Sequence, residues 1–554
     1  MNRNTENHFS TNPIVQIGRS KFDRGHTNKT TFNVGDLIPI YCDTTIMPGD
    51  TVKMRMSEVV RMMTPLVPVM DNAFMDTYFF YIPYRLLWTH FKEFMGENNT
   101  APWIQQQEYE IPQIIAPENG WKKGSLADYF GYPTEIGSYK ASALPFRAYV
   151  KVYNDWFRDE NLKNPLYMSE GETDLQGTDK TTLGANYDPV IDTEKGAAPV
   201  QAAKIHDYFT SCLPGAQKGP AVNIPLGSTA PIVGSISGEQ NPLYPTNTAL
   251  VGKELDFIKY NNQNGVDLQD HNDWSVSLGN NKSLGLEVDL SNAVAATVNQ
   301  LRTAFAVQKW YENAALGGTR YIETIKAHYG VTSPDFRLQR PEYLGGERIP
   351  INMNQVVTTY ETTGNDPVGT TGAYSVTSNV NEDLFTHSFT EHGILLGLAV
   401  VRTTHTYQQG LNAQYSKKKM VDFYFPEFAH LGNEAVLQKE IYLQGPSVVD
   451  ADGNVEDEKA FGYQERWATE RYFPDIVTGE MRSNYAQSLD AWHYADDYNS
   501  LPHLSSDWID ETKENVARTL AVQEHDQLFG DFYFGAIYTR PMPLFSIPGL
   551  IDHM

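Results

Sequence analysis

Ala73-Phe-Met-Asp-Thr-Tyr-Phe-Phe-Tyr-Ile82 places five aromatic rings within ten residues. Rings and β-branched side chains suit a pleated backbone, and the near-absence of polar positions argues for a strand buried on both faces. Outward from it, the same signal returns far away in the chain. Gly393 to Thr406 is apolar and β-branched, and Val421-Asp-Phe-Tyr-Phe425 and Asp531-Phe-Tyr-Phe-Gly-Ala-Ile-Tyr538 read as further strands. Pro541, Pro543 and Pro548 stop the last one. After the turn Met47-Pro-Gly-Asp50, the residues Val52, Met54, Met56 and Val59 follow an approximate two-residue alternation.

Helical signals are fewer. Phe146, Tyr149, Val150, Tyr153, Trp156 and Phe157 recur at three- and four-residue steps, which predicts an amphipathic helix over 146–158. Ser291 is a candidate cap for a helix striped by Val294, Val298, Leu301 and Phe305 and ended by Gly317-Gly318. Thr319 opens a second one through Ile322, Ile325 and Tyr329. Between about 161 and 290 the chain turns rich in Gly, Asn, Asp, Thr and Pro, with weak periodicity, and 361–383 repeats this on a small scale. So long an irregular stretch inside a domain reads as a functional insertion. The simplest account of strong strands separated by such segments is one antiparallel β-unit with long loops. No internal repeat of fixed period is present.

The chain has 554 residues, of which 41% are hydrophobic and 12% aromatic, with 32 Tyr against 26 Phe. That is ample material for a core, and the tyrosines favour contact surfaces with a polar tip. A formal net charge of −25 argues against nucleic acid coating the whole surface. It leaves room for a local basic face, and residues 1–30 offer one: Arg3, Arg19, Lys21, Arg24 and Lys29 stand against only Glu6 and Asp23. The alternative is a solvated terminal arm. A second basic tract, Lys417-Lys418-Lys419, adjoins Tyr407, Tyr415 and the strand proposed at 421–425. Charge beside aromatics is the pattern that holds single-stranded nucleic acid, although three solvated lysines fit the tract as well. Cys42 and Cys212 are far apart, match no metal-ligand spacing and read as free thiols of a reducing compartment. No apolar leader opens the sequence, and the longest apolar run, Ile394 to Val401, falls well short of the ~20 residues of a membrane span. A soluble chain made in the cytoplasm, without membrane insertion, is expected.

Signatures of catalysis are missing. There is no phosphate-binding loop, no dinucleotide-binding glycine pattern and no nucleophile elbow. His387 and His392 lack a third ligand, and Asp450-Ala-Asp-Gly-Asn454 departs from the calcium-loop pattern and fits a hairpin turn at Asp452-Gly453. No cofactor or metal is expected. The run Phe461-Gly-Tyr-Gln-Glu-Arg-Trp-Ala468, continued by Thr469-Glu-Arg-Tyr-Phe-Pro474, mixes large rings with opposite charges. Tyr463, Glu465, Arg466, Trp467, Arg471 and Tyr472 are therefore candidates for a surface buried by another chain, since Tyr, Trp and Arg are enriched at interfaces.

Several strings, in order, resemble the major capsid protein of gokushoviruses, the branch of small icosahedral single-stranded DNA phages within the Microviridae. They include Asn12 to Tyr41, Phe79-Phe-Tyr-Ile-Pro-Tyr-Arg-Leu-Leu-Trp88, Gly317-Gly-Thr-Arg-Tyr321, Gly330-Val-Thr-Ser-Pro-Asp335, Arg340-Pro-Glu-Tyr-Leu-Gly-Gly346, Thr406-Tyr-Gln-Gln-Gly410 and the run at 461–474. They cover roughly 1–160 and 291–554, while 161–290 and 361–383 carry no such strings. The resemblance implies a mainly β protein: an eight-stranded antiparallel jelly roll with long loop insertions and a few helices. Its expected parts are an N-terminal arm over 1–50, jelly-roll segments over 51–160, 291–360 (with a helical insertion) and 384–554, a variable insertion over 161–290 and a variable loop over 361–383. It further implies pentamers closing into a T=1 shell around circular single-stranded DNA, with the insertion projecting at the threefold axes. A small basic DNA-packaging protein, a pilot protein, an internal scaffolding protein and a host cell surface receptor are the implied partners. Trp274, the only tryptophan of the insertion, is a candidate for host-surface contact. The competing reading is a carbohydrate-binding or carbohydrate-cleaving β-sandwich, because jelly rolls also serve as lectins and hydrolases.

Overall fold

The computed structural model describes residues 18–98, 108–220, 222, 298–359, 368–369 and 371–545, with backbone strands between 232 and 288. The chain divides into two compact units, Met1–Ala216 with Ala315–Met554, and Gln217–Ala314. In the larger unit the principal strands are β1 (Ser20–Asp23), β2 (His26–Phe32), β3 (Ile38–Ile46), β4 (Thr51–Met62), β5 (Ala73–Pro83), β6 (Glu342–Pro350), β7 (Thr377–Ser388), β8 (Gly393–Thr403), β9 (Asn433–Leu437), β10 (Ala460–Glu465) and β11 (Leu528–Arg540). The longer helices are α1 (Leu144–Val152), α2 (Val298–Gly317), most of which belongs to the smaller unit, and α3 (Tyr321–Tyr329).

Two antiparallel sheets face each other. The first has the order β1–β11–β4–β7, with β2 on the same edge of β11 as β1. β1 pairs with residues 537–540 of β11 and β2 with 528–534. The second sheet has the order β6–β5–β8–β3. Between them lie Val52, Met54, Met56 and Val60 of β4, Phe532, Phe534 and Tyr538 of β11, Met75, Phe79 and Tyr81 of β5, and Leu395, Ala399 and Val401 of β8.

The second sheet is covered on its other face too. Phe80 and Ile82 of β5 and Ile394, Leu396, Leu398 and Val400 of β8 pack with Phe146, Tyr149, Val150 and Val152 of α1. The sequence reading of 73–82 as a strand buried on both faces is therefore met, and the helix expected over 146–158 appears as α1 followed by a wider turn over Tyr153–Phe157. Tyr149 ties α1 down: its hydroxyl donates to the Leu37 carbonyl at 2.7 Å and accepts from the Val200 N–H at 3.1 Å. Asp76, nearly buried, is gripped by Arg348 of β6 and Arg402 of β8, a charged crosslink over three strands. Gly346 allows β6 to approach β5 closely, since a Cβ there would sit 2.0 Å from the Thr77 carbonyl oxygen.

The alternation along β4 differs from the sequence reading in one step. Its inward residues continue as Glu58, Val60 and Met62, and Val59 faces outward. A carboxyl is thereby buried in the sandwich, accepting from Asn379 at 3.2 Å. Burial pushes the Glu58 pKa up to about 7; the Asn379 hydrogen bond opposes this and nearby Glu347 adds to it. A carboxyl with a raised folded pKa favours the fold while protonated, so stability falls as pH climbs from 4.5 through about 7. Glu58→Gln is expected to raise the unfolding free energy at pH 8 by on the order of 3 kcal/mol and to change it little at about pH 4. Denaturant titrations at the two pH values check this.

The segment 421–425 is not a strand. It is replaced by short 3-10 turns at Met420–Asp422 and Pro426–Phe428. Asp422 accepts from the backbone N–H groups of Lys418 and Lys419, both at 2.7 Å, closing a turn that a β-ladder would have to open. The Asp452-Gly453 turn forms as read, with Gly453 at φ +83 and the Asp450 N–H donating to Asn454 O at 2.9 Å. Cys42 and Cys212 are free thiols.

In the smaller unit, Ile232–Ile236 pairs antiparallel with Leu284–Val288, and Leu255–Asn261, Gly265–Asp270 and Ser275–Ser277 form an antiparallel meander. The stretch read as irregular thus carries strands. Ser291 and Val294 lie outside the described residues, and Val298, Leu301 and Phe305 of α2 are exposed. Residues 161–216 belong to the larger unit, where Leu166 and Val200 join the core beneath the second sheet.

Candidate assembly and nucleic-acid surfaces

The run at 461–474 begins as β10, paired antiparallel with β9, and bends at Trp467 into a 3-10 turn over Ala468–Glu470. Trp467 takes the left-handed conformation, φ +70, and is only 5% exposed. Its backbone N–H donates to Glu434 at 3.0 Å and its indole N–H to the Phe428 carbonyl at 3.0 Å. Tyr424 meets its ring edge-on at 5.6 Å and the Arg466 guanidinium lies 4.9 Å above it. Tyr463 is half-buried, exchanging backbone hydrogen bonds with Leu213 at 2.8 Å. Trp467 and Tyr463 thus serve first to hold this part of the chain together. Glu465 pairs with Arg471 and Arg466 with Glu434. The members that face solvent are Arg471 and Tyr472, joined by Phe473, which sequence reasoning passed over; Tyr472 is 57% and Phe473 60% exposed.

The lysine tract lies on this same surface. Lys417 forms an ion pair with Glu470, and its ammonium sits 5.3 Å from the Phe423 ring centroid. The side chains of Lys418 and Lys419 are exposed. Around them Tyr415, Met420, Val421, Phe423 and Tyr424 are all exposed too. Two candidate sites that the sequence keeps apart therefore merge into one apolar surface edged by charge. Monomeric proteins rarely leave so many large apolar side chains together in water.

The N-terminal cations separate instead. Arg19 is held by the carbonyls of Gly49 and Thr539 and the Thr51 hydroxyl, at 2.6–3.1 Å. Arg24 pairs with Asp43 at 2.5 Å and lies 4.8 Å over the Tyr538 ring. Burial alone would raise the Asp43 pKa; hydrogen bonds from Tyr538 and Thr45 and the charge of Arg24 hold it below the usual carboxylate range. Arg19 and Arg24 are thus clamps of the sheet edge, while Lys21 is exposed and Lys29, also exposed, pairs with Asp531 at 2.8 Å. Missed by the sequence reading is the outward face of the first sheet, where Lys53, Arg55 and Arg61 of β4 stand beside Phe529, Tyr533 and Ile537 of β11. The two-residue alternation of β4 already contained the signal, in the polar residues between Val52, Met54 and Met56. Trp274 lies outside the described residues.

A buried charge cluster joins these parts. His405, just after β8, places Nδ1 3.2 Å from Asp496 and Nε2 3.0 Å from Glu511. Lys204 reaches Asp496 at 3.7 Å, and Asn515 and Tyr498 donate to the same carboxylate. Burial would lower the His405 pKa, but the two carboxylates outweigh it and raise it to about 10. Its neighbours are thus charge partners of an imidazolium, and the arrangement holds no nucleophile aimed at a cleft. Among the described residues, no helix is long and apolar enough to cross a membrane.

Comparison with known proteins identifies the family. Residues 10–550 match the family described as capsid protein (F protein). The chain is 39% identical to capsid protein VP1 of Bdellovibrio phage phiMH2K over 99% of its length and 98% of that protein. It is 35% identical to capsid protein VP1 of Chlamydia phage 1, with 98% of each chain covered, and 39% identical to that of Spiroplasma virus 4, with 96% of each covered. The chain belongs to the F-protein family of Microviridae capsid proteins, and is a structural subunit of a phage capsid, not an enzyme.

Proposed function

We propose that the chain folds as an eight-stranded jelly roll and builds, through pentamers, a T=1 icosahedral shell around a circular single-stranded DNA genome. The strand order carries this reading. With β1 and β2 taken as one interrupted strand, β3 to β8 and β11 complete a set of eight, and the sheet orders become 1-8-3-6 and 5-4-7-2. Two Greek keys wound into facing sheets give that order, an architecture recurrent in viral capsids. The surface around Phe423, Arg471, Tyr472 and Phe473 meets a neighbouring copy in the shell. The part of the expected 161–290 insertion that lies in the smaller unit, from 217 to 290, projects at the threefold axes and engages a host surface receptor, with Trp274 as its candidate contact. A chain of net charge −25 leaves most genome neutralisation to a small basic packaging protein. A pilot protein and an internal scaffolding protein complete the set of partners, and assembly takes place in the host cytoplasm. With these three relatives being capsid proteins, no observation favours the carbohydrate reading.

Electron microscopy of the chain coexpressed with its neighbouring genes tests this. Uniform closed shells of 60 copies, the T=1 number, with density projecting at the threefold axes, are expected. A single-sized monomer or dimer under all assembly conditions would overturn it.

A further inference from the structure

The outward face of the first sheet is unlike the rest of the surface. β4 alternates strictly, and its outward residues Lys53, Arg55, Ser57, Val59 and Arg61 include three cations and no carboxylate. β11, its neighbour, turns Phe529, Tyr533 and Ile537 outward, all three exposed. In register, Phe529 lies opposite Arg61 and Ile537 opposite Lys53. A row of positive charge thus runs beside a row of apolar and aromatic side chains, in a chain whose net charge is −25. Same-face neighbours along a strand are about 6.8 Å apart, so the two rows are regularly spaced.

Carboxylates do reach this face: Asp531 stands within the β11 row between Phe529 and Tyr533, and Glu382 and Asp383 come from the β7 edge. Asp531 meets Lys29 at 2.8 Å, Asp383 meets Lys53 at 3.5 Å and Glu382 meets Arg55 at 3.9 Å. All of these pairs are substantially exposed, the class of ion pair that contributes little and exchanges readily. Arg61 has no ion-pair partner among the described residues. At its end of the face opens a cavity of about 900 Å³, whose walls include Lys29, Arg61, Lys123, Tyr129, Phe130 and Phe529. That volume lies within the range of clefts that admit a small organic ligand. The cavity has both chemistries that a nucleotide needs, cations for phosphate and rings for a base.

The geometry points to this face as a binding surface for unpaired polynucleotide, with phosphates along Lys53, Arg55 and Arg61 and bases against Tyr533 and Phe529, one of them entering the cavity. The assignment rests on the reading of the chain as a subunit that encloses a genome. Unpaired strands are selected over a duplex because only unstacked bases can lie flat on the rings. It moves the nucleic-acid contact away from Arg19 and Arg24, which the fold consumes, and from Lys417 to Lys419, which sit within the apolar assembly surface.

The test uses dispersed full-length chain and a fluorescent oligothymidylate, with anisotropy read over a range of salt. Arg55→Ala with Arg61→Ala is expected to weaken binding at least tenfold and to reduce the log–log salt slope by about 1.4, two single-strand phosphates' worth. Phe529→Ala with Tyr533→Ala is expected to weaken binding tenfold or more with the slope unchanged, as loss of stacking requires. Lys418→Ala with Lys419→Ala serves as the comparison and is expected to leave both quantities alone. Bromodeoxyuridine crosslinks should map to peptides containing Tyr129, Phe529 or Tyr533. Absence of binding, wild-type affinity in both face variants, preference for duplex, or crosslinks confined to 415–425 would each overturn the proposal. Thermal melting is the check that the variants, all at exposed positions, are expected to pass as folded chains. Failure of the wild-type chain to form shells would count against the proposed function alone, because the anisotropy is read on separate subunits.

Discussion

Replacing His405 by alanine is expected to lower the free energy of unfolding by about 3–5 kcal/mol, the usual cost of removing one partner from a buried charged group. The imidazolium lies between Asp496 and Glu511, each carboxylate nearly or fully buried. Without it two negative charges face each other, with Lys204 at 3.7 Å from Asp496 as the remaining counter-charge. The pH dependence has a defined sign. The folded pKa is raised from 6.5 to about 10, so the contribution is fully present below pH 6.5 and is lost as pH climbs through about 10. Denaturant titrations of both proteins between pH 6 and 10.5 provide the check: the wild type should weaken towards the alkaline end and converge on the variant. A loss below about 1 kcal/mol at neutral pH would mean that the cluster is a solvated network and not a clasp.

Phe423→Asp combined with Phe473→Asp is expected to abolish shell formation while leaving the subunit folded. These rings are 54% and 60% exposed, so the single chain loses little when they are changed. In an interface core, each would place an unpaired charge in a desolvated site, several kcal/mol per contact and repeated at every equivalent contact of a shell. Sedimentation would show subunits or small oligomers in place of particles, and the melting temperature would stay within a few degrees of the wild type. Particles of normal size from the double variant would move the contact elsewhere. Trp467→Ala is not the variant to use, because that side chain is 5% exposed and its removal would disturb the subunit itself.

Much of the fold was legible because its strands carry unambiguous patterns. The strand at 73–82 has rings at nearly every step because both of its faces are covered, one by the opposite sheet and one by α1. The 393–406 run was readable for the same reason, and the 531–538 run because rings occupy both its buried and its exposed face. The error at 421–425 has a plain cause. Aromatic residues that are exposed have the same composition here as a buried strand, and the turn closed by Asp422 distinguishes them. The candidate sites were less legible. Charge clusters in sequence do not report on partners from distant segments, and Arg19, Arg24 and Lys417 each found one: Thr539, Asp43 and Glu470. The basic face of the first sheet was visible only once β11 had been laid beside β4, since its cations and its rings are more than four hundred residues apart in the chain.

The place of β11 in the first sheet has a temporal side. β1 and β2 find their ladder partner only in β11, and Arg19 and Thr539 are 520 positions apart. At bacterial synthesis speeds that separation is roughly 25–100 s. During this interval the amino-terminal strands have exposed edges and β4 lacks one neighbour, while the second sheet can already close on α1 as soon as β8 emerges. Completion of the first sheet therefore waits on residues 528–540, the only ladder partner of β1 and β2 among the described residues.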